Sequence, residues 1–190
     1  MMKKKRDYII PLKRRKQKQT DYSRRLKIIK SGKPRLAFRK SKKHSYAQII
    51  KYKKTGDQTI VSFSTKNLEK FGWKGPTSNI PASYLLGFLI SKHAQKNKIK
   101  SVVFDIGLQR STKGGKIYAF LKGALDAGLD ISKTEKTDQM FPSEDRIKGK
   151  HIEDYAKSLK KTDYKKQFSK SKPEQIQKMF GKVKTKIEKG

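Results

Sequence analysis

Three histidines, one aspartate at the end of an apolar run and one glycine-rich turn are the residues here whose types suit chemistry. His44, His93 and His151 fall in a predicted loop, late in a predicted helix and near the C-terminal tail. No two of them have metal-ligand spacing, and none is paired with a candidate nucleophile. His93 reads as a helix-surface residue. The chain contains no cysteine, which excludes disulfides and thiolate zinc sites. Asp105 closes the run Ser101-Val102-Val103-Phe104, a position where a carboxylate can serve catalysis. A metal-dependent nuclease needs several carboxylates converging on its metal ions, and the first three predicted strands supply none. Asp105 is therefore read as a hydrogen-bonding partner for the loop that follows it.

Gly114-Gly115-Lys116 has the look of a phosphate-binding turn. A P-loop would require glycine at 110 and serine or threonine at 117, whereas the chain has Arg110 and Ile117, so that pattern fails. The strand-loop-helix setting still suits an anion, because helix-start amides point outward there with Arg110, Lys113 and Lys116 around them. A second basic loop, Arg39-Lys40-Ser41-Lys42-Lys43-His44-Ser45, lies between two predicted strands, and Tyr46 and Gln48 continue along the second of them. Cations, hydroxyl donors, an imidazole and a phenol ring together are the mixture that reads single-stranded or irregular RNA. The plainer alternative is a charged hairpin tip.

Charge supports the polyanion reading. Fifty Lys and Arg stand against 16 Asp and Glu, a formal net charge of +34 in 190 residues. Self-repulsion of this size is relieved by a polyanion, with nucleic acid ahead of membrane surfaces and acidic proteins. The excess is uneven: residues 1–54 carry net +20, residues 55–156 net +5 and residues 157–190 net +9. A nearly balanced middle is flanked by basic arms. In the first arm, Lys13, Arg14, Arg15, Tyr22, Arg24, Arg25 and Lys27 interleave cations with an aromatic ring, and arginine can fork two donors onto a phosphate or stack on a base. Met1 to Arg6 resembles a signal-peptide n-region, but the apolar run after it, Tyr8-Ile9-Ile10, is ended by Pro11 and is too short for an h-region or a membrane span. A soluble, cytoplasmic protein is expected.

The elements that must position these residues follow from hydrophobic periodicity. Thr20 or Asp21 caps a short helix through Leu26, Ile28 and Ile29, stopped by Gly32 and Pro34, after a first stretch with no usable periodicity. Arg35 to Arg39 alternates, with Leu36 and Phe38 on one face and both arginines on the other. Tyr46–Tyr52 and Thr59–Phe63 complete a three-stranded antiparallel meander, with a turn at Thr55-Gly56-Asp57. Asn79 and Pro81 open a helix whose buried stripe is Ala82, Leu85, Leu86, Leu89 and Ile90, and Gly87 within it reads either as allowing close packing on the sheet or as simply tolerated. Ser101–Ile106 reads as a central strand buried on both faces. Lys116–Ala127 is a second helix with Ile117, Phe120, Leu121, Ala124 and Leu125 inward, ended by Gly128, and Leu129-Asp130-Ile131 is a short final strand. Beyond Phe141-Pro142 short, weakly packed helices are expected at 144–148, 152–159 and from Pro173, the last needing a neighbour or RNA to dock on. The fold class is α/β: a mixed sheet from a three-stranded meander plus βα units, with helices packed on it, an extended basic N-terminal arm and a helical C-terminal tail. The expected division is an RNA-binding arm (1–33), a globular core (34–132) and a C-terminal extension (133–190).

Several motifs in one order resemble a known family. Thr20-Asp21-Tyr22-Ser23-Arg24-Arg25-Leu26, Ser31-Gly32-Lys33-Pro34-Arg35-Leu36 and Arg39-Lys40-Ser41-Lys42-Lys43-His44 are similar to the opening of archaeal and eukaryotic members of the L-eighteen family of large-subunit ribosomal proteins. So are Gly72-Trp73-Lys74-Gly75, Asn79-Ile80-Pro81-Ala82, Asp105-Ile106-Gly107-Leu108, Thr112-Lys113-Gly114 and Lys122-Gly123-Ala124-Leu125-Asp126-Ala127-Gly128-Leu129. The length resembles the archaeal form, and Phe168-Ser169-Lys170 through Met179-Phe180 resembles the tail of the longer eukaryotic members. The resemblance implies a structural component that binds 5S rRNA and helps attach it to large-subunit rRNA in the central protuberance, beside an L-five family neighbour. It implies RNA contacts at Lys13 to Arg15, Tyr22 to Lys27, Arg35 to His44 and Arg110 to Lys116. No cofactor, metal, membrane or small-molecule substrate is expected, and no enzymatic activity. The alternatives are a metal-dependent nuclease on a ribonuclease H-like sheet, which rests on Asp105, and a general nucleic-acid compaction protein, which rests on the arms.

Overall fold

A computed structural model describes residues 10–133, 135–159 and 173–190. Residues 1–9, with the segment compared above to a signal peptide, and Phe168-Ser169-Lys170 lie outside the described residues. The elements are α1 (Lys13–Lys16), α2 (Tyr22–Lys30), β1 (Arg35–Lys40), β2 (Ser45–Lys51), β3 (Gln58–Ser64), a 3-10 helix (Thr65–Phe71), α3 (Ile80–Lys96), β4 (Ser101–Asp105), α4 (Lys116–Asp126), β5 (Asp130–Ile131), α5 (Glu135–Asp138), α6 (Glu144–Lys148), α7 (Lys150–Ser158), a 3-10 turn (Pro173–Gln175) and α8 (Ile176–Lys189). The 3-10 helix is an element that hydrophobic periodicity did not mark.

The α/β expectation holds. The sheet order is β3-β2-β1-β4-β5. β1, β2 and β3 form the antiparallel meander, while β4 runs parallel to both β1 and β5. The alternation read from Arg35 to Arg39 decides the faces: Leu36 and Phe38 are fully buried against α3 and α4, with Ala47, Ile49 and Val61 from the neighbouring strands. Each such side chain contributes about 1.5–3 kcal/mol on burial. Phe38 stacks on Phe120 of α4, with ring centroids 4.4 Å apart.

Four expectations need correction. β4 is neither central nor sealed on both faces: β1 is the middle strand, and Val103 and Phe104 are only half-buried. Val103 pairs with Arg35, so it sits on the face that α3 and α4 do not cover. Gly87 does not pack on the sheet; it lets α3 and α4 cross in contact. A Cβ at Gly87 would meet the Phe120 carbonyl oxygen at 2.1 Å, and one at Gly123 would meet the Tyr84 carbonyl oxygen at 2.1 Å. α3 is not a one-stripe helix, since every residue from Pro81 to Ser91 is buried. Its outer side is covered by the fourth surprise, α8, which docks on this chain rather than needing a neighbour or RNA. Ile176, Phe180, Val183 and Ile187 join Tyr84, Leu85, Phe88, Leu68 and Trp73 in a second apolar cluster. The Gln177 amide and side-chain nitrogens donate to the Glu153 carboxylate at 3.0 and 2.7 Å, tying α8 to α7.

Several caps are as the sequence spells them. The Asp21 carboxylate accepts from the Arg24 amide at 3.0 Å and opens α2. Asn79 accepts from the Ala82 amide at 2.8 Å and opens α3. Gly128, at φ +88°, closes the turn after α4.

Candidate nucleic-acid interface

Strand direction gathers the basic loops. β1, β3 and β4 run the same way, so their carboxyl ends share one edge of the sheet. The β1–β2 hairpin tip, the 3-10 helix after β3 and the β4–α4 loop therefore lie at that edge. The start of α3 joins them: Ser78 donates to the Ser41 carbonyl at 3.3 Å, and Thr77 donates to the Lys43 carbonyl at 2.8 Å. The tip is a tight turn, with the Ser41 amide and hydroxyl both donating to the His44 carbonyl. His44 is half-buried, its Nδ1 3.0 Å from the Thr77 hydroxyl, so its ring is already engaged within the protein.

The arm lies across the open face of the sheet. A cleft between α2 and the strands is lined by Arg14, Arg24, Arg25, Arg35, Arg39, Gln48 and Asp105, among others. Its floor is an ion-pair chain. Arg25 and Arg35 donate to the same Asp57 oxygen at 2.8 and 2.6 Å. Arg35 and Arg39 donate to one Asp105 oxygen at 3.1 and 3.0 Å, while the Gly107 amide donates to the other at 2.8 Å. Arg24 donates to the Gly107 carbonyl at 3.3 Å. Burial pushes the Asp105 carboxyl up, but the Arg39 and Arg35 charges and the Gly107 amide outweigh it and hold it below the usual carboxylate range. Asp105 is thus a partner of its following loop, as its position implied, and also the pin that holds two arginines. Its oxygens are so occupied, and among the described residues no group of three His, Asp or Glu could hold a metal ion.

At the hairpin edge a second cleft is lined by Lys40, Ser41, Lys42, Thr112, Lys113, Gly114, Gly115 and Lys116, joined by Ile80 and Arg146. All of these but Ile80 and Arg146 belong to the two loops that the sequence offered separately. The Gly114 amide donates to the Met140 carbonyl and the Gly115 amide to the Thr112 carbonyl, leaving the Lys116 and Ile117 amides without an acceptor among the described residues. Lys116 donates to the Ser78 hydroxyl at 2.7 Å, and burial, with the charge of Lys40, lowers its ammonium pKa.

Other candidate residues stand apart. Arg15 and Tyr22 border a shallow hollow with Leu108. Lys13, Lys27 and Arg110 are exposed and line neither cleft. Tyr46 is 49 % exposed on the arm side of the sheet, and Gln48 beside it donates to Ser62 at 3.2 Å. His93 is not a free surface residue: it is half-buried against the Phe63 ring at 4.6 Å, and burial lowers its pKa. Sequence reasoning missed Thr77, Ser78 and Arg146. Nothing in local periodicity ties Arg146 to a loop more than thirty positions upstream.

No described helix is long and apolar enough to cross a membrane. A family model described as ribosomal L18 of archaea, bacteria, mitochondria and chloroplast matches residues 12–131. The match begins in the arm and ends with β5, so it spans both clefts except for Arg146.

Proposed function

We propose, from the premise that this chain belongs to the L-eighteen family of large-subunit ribosomal proteins, that it holds 5S rRNA and attaches it to large-subunit rRNA in the central protuberance. As a member of that family it is a ribosomal protein with rRNA and other ribosomal proteins as partners. The finer reading adds an L-five family neighbour and a cytoplasmic location. It also assigns RNA contacts to Lys13, Arg14, Arg15, Tyr22, Arg24, Arg25 and Lys27 of the arm, to Arg35, Arg39 to Lys42, His44, Tyr46 and Gln48 of the first hairpin, and to Arg110, Thr112, Lys113 and Lys116 after β4. The reading keeps residues 1–33 as an RNA-binding arm, 34–132 as the globular core and 133–190 as a C-terminal extension.

The observation that carries this reading is the convergence of arm, hairpin tip and β4–α4 loop on one edge and one open face of the sheet. A basic surface built from three segments suits a folded RNA with several backbones in reach, and suits a straight duplex less. Pure protein is titrated with folded 5S rRNA and with duplex DNA of equal length at near-physiological salt. The expected result is preference for 5S rRNA with affinity falling steeply as salt rises. Equal affinity for the two would overturn the reading.

A further inference from the structure

The cleft at the hairpin edge differs in kind from the arm cleft. In the arm cleft, Arg25, Arg35 and Arg39 are already matched by Asp57 and Asp105. In the hairpin-edge cleft Lys40, Lys42, Lys113, Lys116 and Arg146 converge from three separate stretches of chain, and none has a carboxylate partner among the described residues. Five cations held together without an anion repel one another; at the half-buried Lys116, burial first and the charge of Lys40 second lower the ammonium pKa. Ser41 and Thr112 also line the cleft, and the Lys116 and Ile117 amides, without an acceptor among the described residues, begin α4, an eleven-residue helix.

We infer that this cleft is a composite clamp for one backbone phosphate of the bound RNA, with Arg146 of the C-terminal extension as its fork. The inference rests on the rRNA-binding reading above and names the group that reading left unassigned. Two structural features make the extension part of the site. Met140 supplies the carbonyl that fixes the Gly114 amide at 2.9 Å, and the Arg146 guanidinium stands 3.8 Å from where a Gly114 Cβ would be. Ile147, the next residue, is buried in the second core cluster and anchors α6. Arg146 itself is exposed, so its side chain is held near the loop while its donors stay available. Arginine offers a phosphate two parallel hydrogen bonds where each lysine offers a point charge.

The test uses the full chain and two probes. A 5S rRNA transcript is titrated across a salt series, and inorganic phosphate is titrated separately while the Lys116 and Ile117 amide signals are followed by NMR. Arg146→Ala is expected to weaken RNA binding about tenfold at fixed salt. It should flatten the slope of log affinity against log salt by about 0.7–0.9, one phosphate's share. Arg146→Lys should keep the slope and recover only part of the affinity. Lys148→Ala is the control, because Lys148 lies on the same helix but is paired with Glu144 at 3.2 Å. Arg146→Ala behaving like Lys148→Ala would overturn the inference while leaving 5S preference intact. Wild-type protein with no 5S preference would overturn the 5S reading alone, and the clamp would then be judged on whether Arg146→Ala flattens the slope on any RNA. Phosphate shifting both amides in the wild type but not in Arg146→Ala supports the clamp. Equal shifts in both proteins would show a free anion held without the fork, which also overturns it.

Discussion

Replacing Asp105 with asparagine keeps the side chain's shape and removes its charge. In the native protein its carboxylate, 8 % exposed, accepts from Arg35 at 3.1 Å, Arg39 at 3.0 Å and the Gly107 amide at 2.8 Å. An asparagine oxygen can still accept from one side, but its NH2 group then faces a donor. Breaking a buried ion pair costs about 3–5 kcal/mol when the surviving charge has no escape. Here Arg35 keeps Asp57, and Arg39 is 43 % exposed and can turn to water, so the lower figure is discounted further. The expected loss is about 2–3 kcal/mol by urea unfolding at pH 7. The sign of the pH dependence follows from the direction of the Asp105 shift. A carboxyl held below its ordinary value contributes stability above about pH 4, and that contribution fades as pH falls toward the folded-state value. The gap between wild type and Asp105→Asn should therefore close progressively below pH 4. A loss under about 0.5 kcal/mol at pH 7, or a gap that does not narrow in acid, would refute the account of Asp105 as the pin of the arginine network.

Gly123→Ala places a methyl 2.1 Å from the Tyr84 carbonyl; despite about 1 kcal/mol of improved helix propensity, it should lower stability by roughly 2 kcal/mol in the same denaturation assay. Phe180→Ala empties a site against Tyr84 that is 6 % exposed and should cost about 3–4 kcal/mol, and a near-neutral change in the melting temperature would mean that α8 is not part of the core. The single tryptophan, Trp73, is 1 % exposed and donates to the Pro76 carbonyl, so its emission should be blue-shifted in the native state and move red on unfolding, together with loss of helix by circular dichroism. Removing residues 1–33 should weaken RNA binding but leave measurable preference for 5S rRNA in the core; complete loss of that preference would point to compaction by the arm.

Much of the fold was legible because it rests on local rules. Alternation over Arg35 to Arg39 assigned Leu36 and Phe38 to the core and both arginines to the other face. Asp21 and Asn79 declared their helices through capping chemistry, and Gly128 ended the second long one. What was misread was tertiary in origin. Gly87 could be seen to permit close approach, but not whether sheet or helix would approach. The all-round burial of α3 was unreadable because its second cover, α8, begins some eighty residues later. The 3-10 helix left no signal because seven residues of mixed polarity fit neither strand nor helix spacing.

The interface divides along the same line. Sequence alone determined that the partner is a polyanion, that the charge excess lies in the flanks, and that the loops after β1 and β4 carry cations with hydroxyls beside them. Only the tertiary structure decided which of those cations are free. Arg25, Arg35 and Arg39 look identical to Lys40, Lys42 and Lys113 in a charge count. Folding sets the first group against Asp57 and Asp105 and leaves the second group without a carboxylate partner among the described residues, because pairing depends on which strands lie side by side. The parallel register of β1 and β4 brings Asp105 to Arg35 and Arg39, and the return of the chain through α6 carries Arg146 to the hairpin edge. Charge is a property of composition, but the cleft that gives it a place to act is made by strand order.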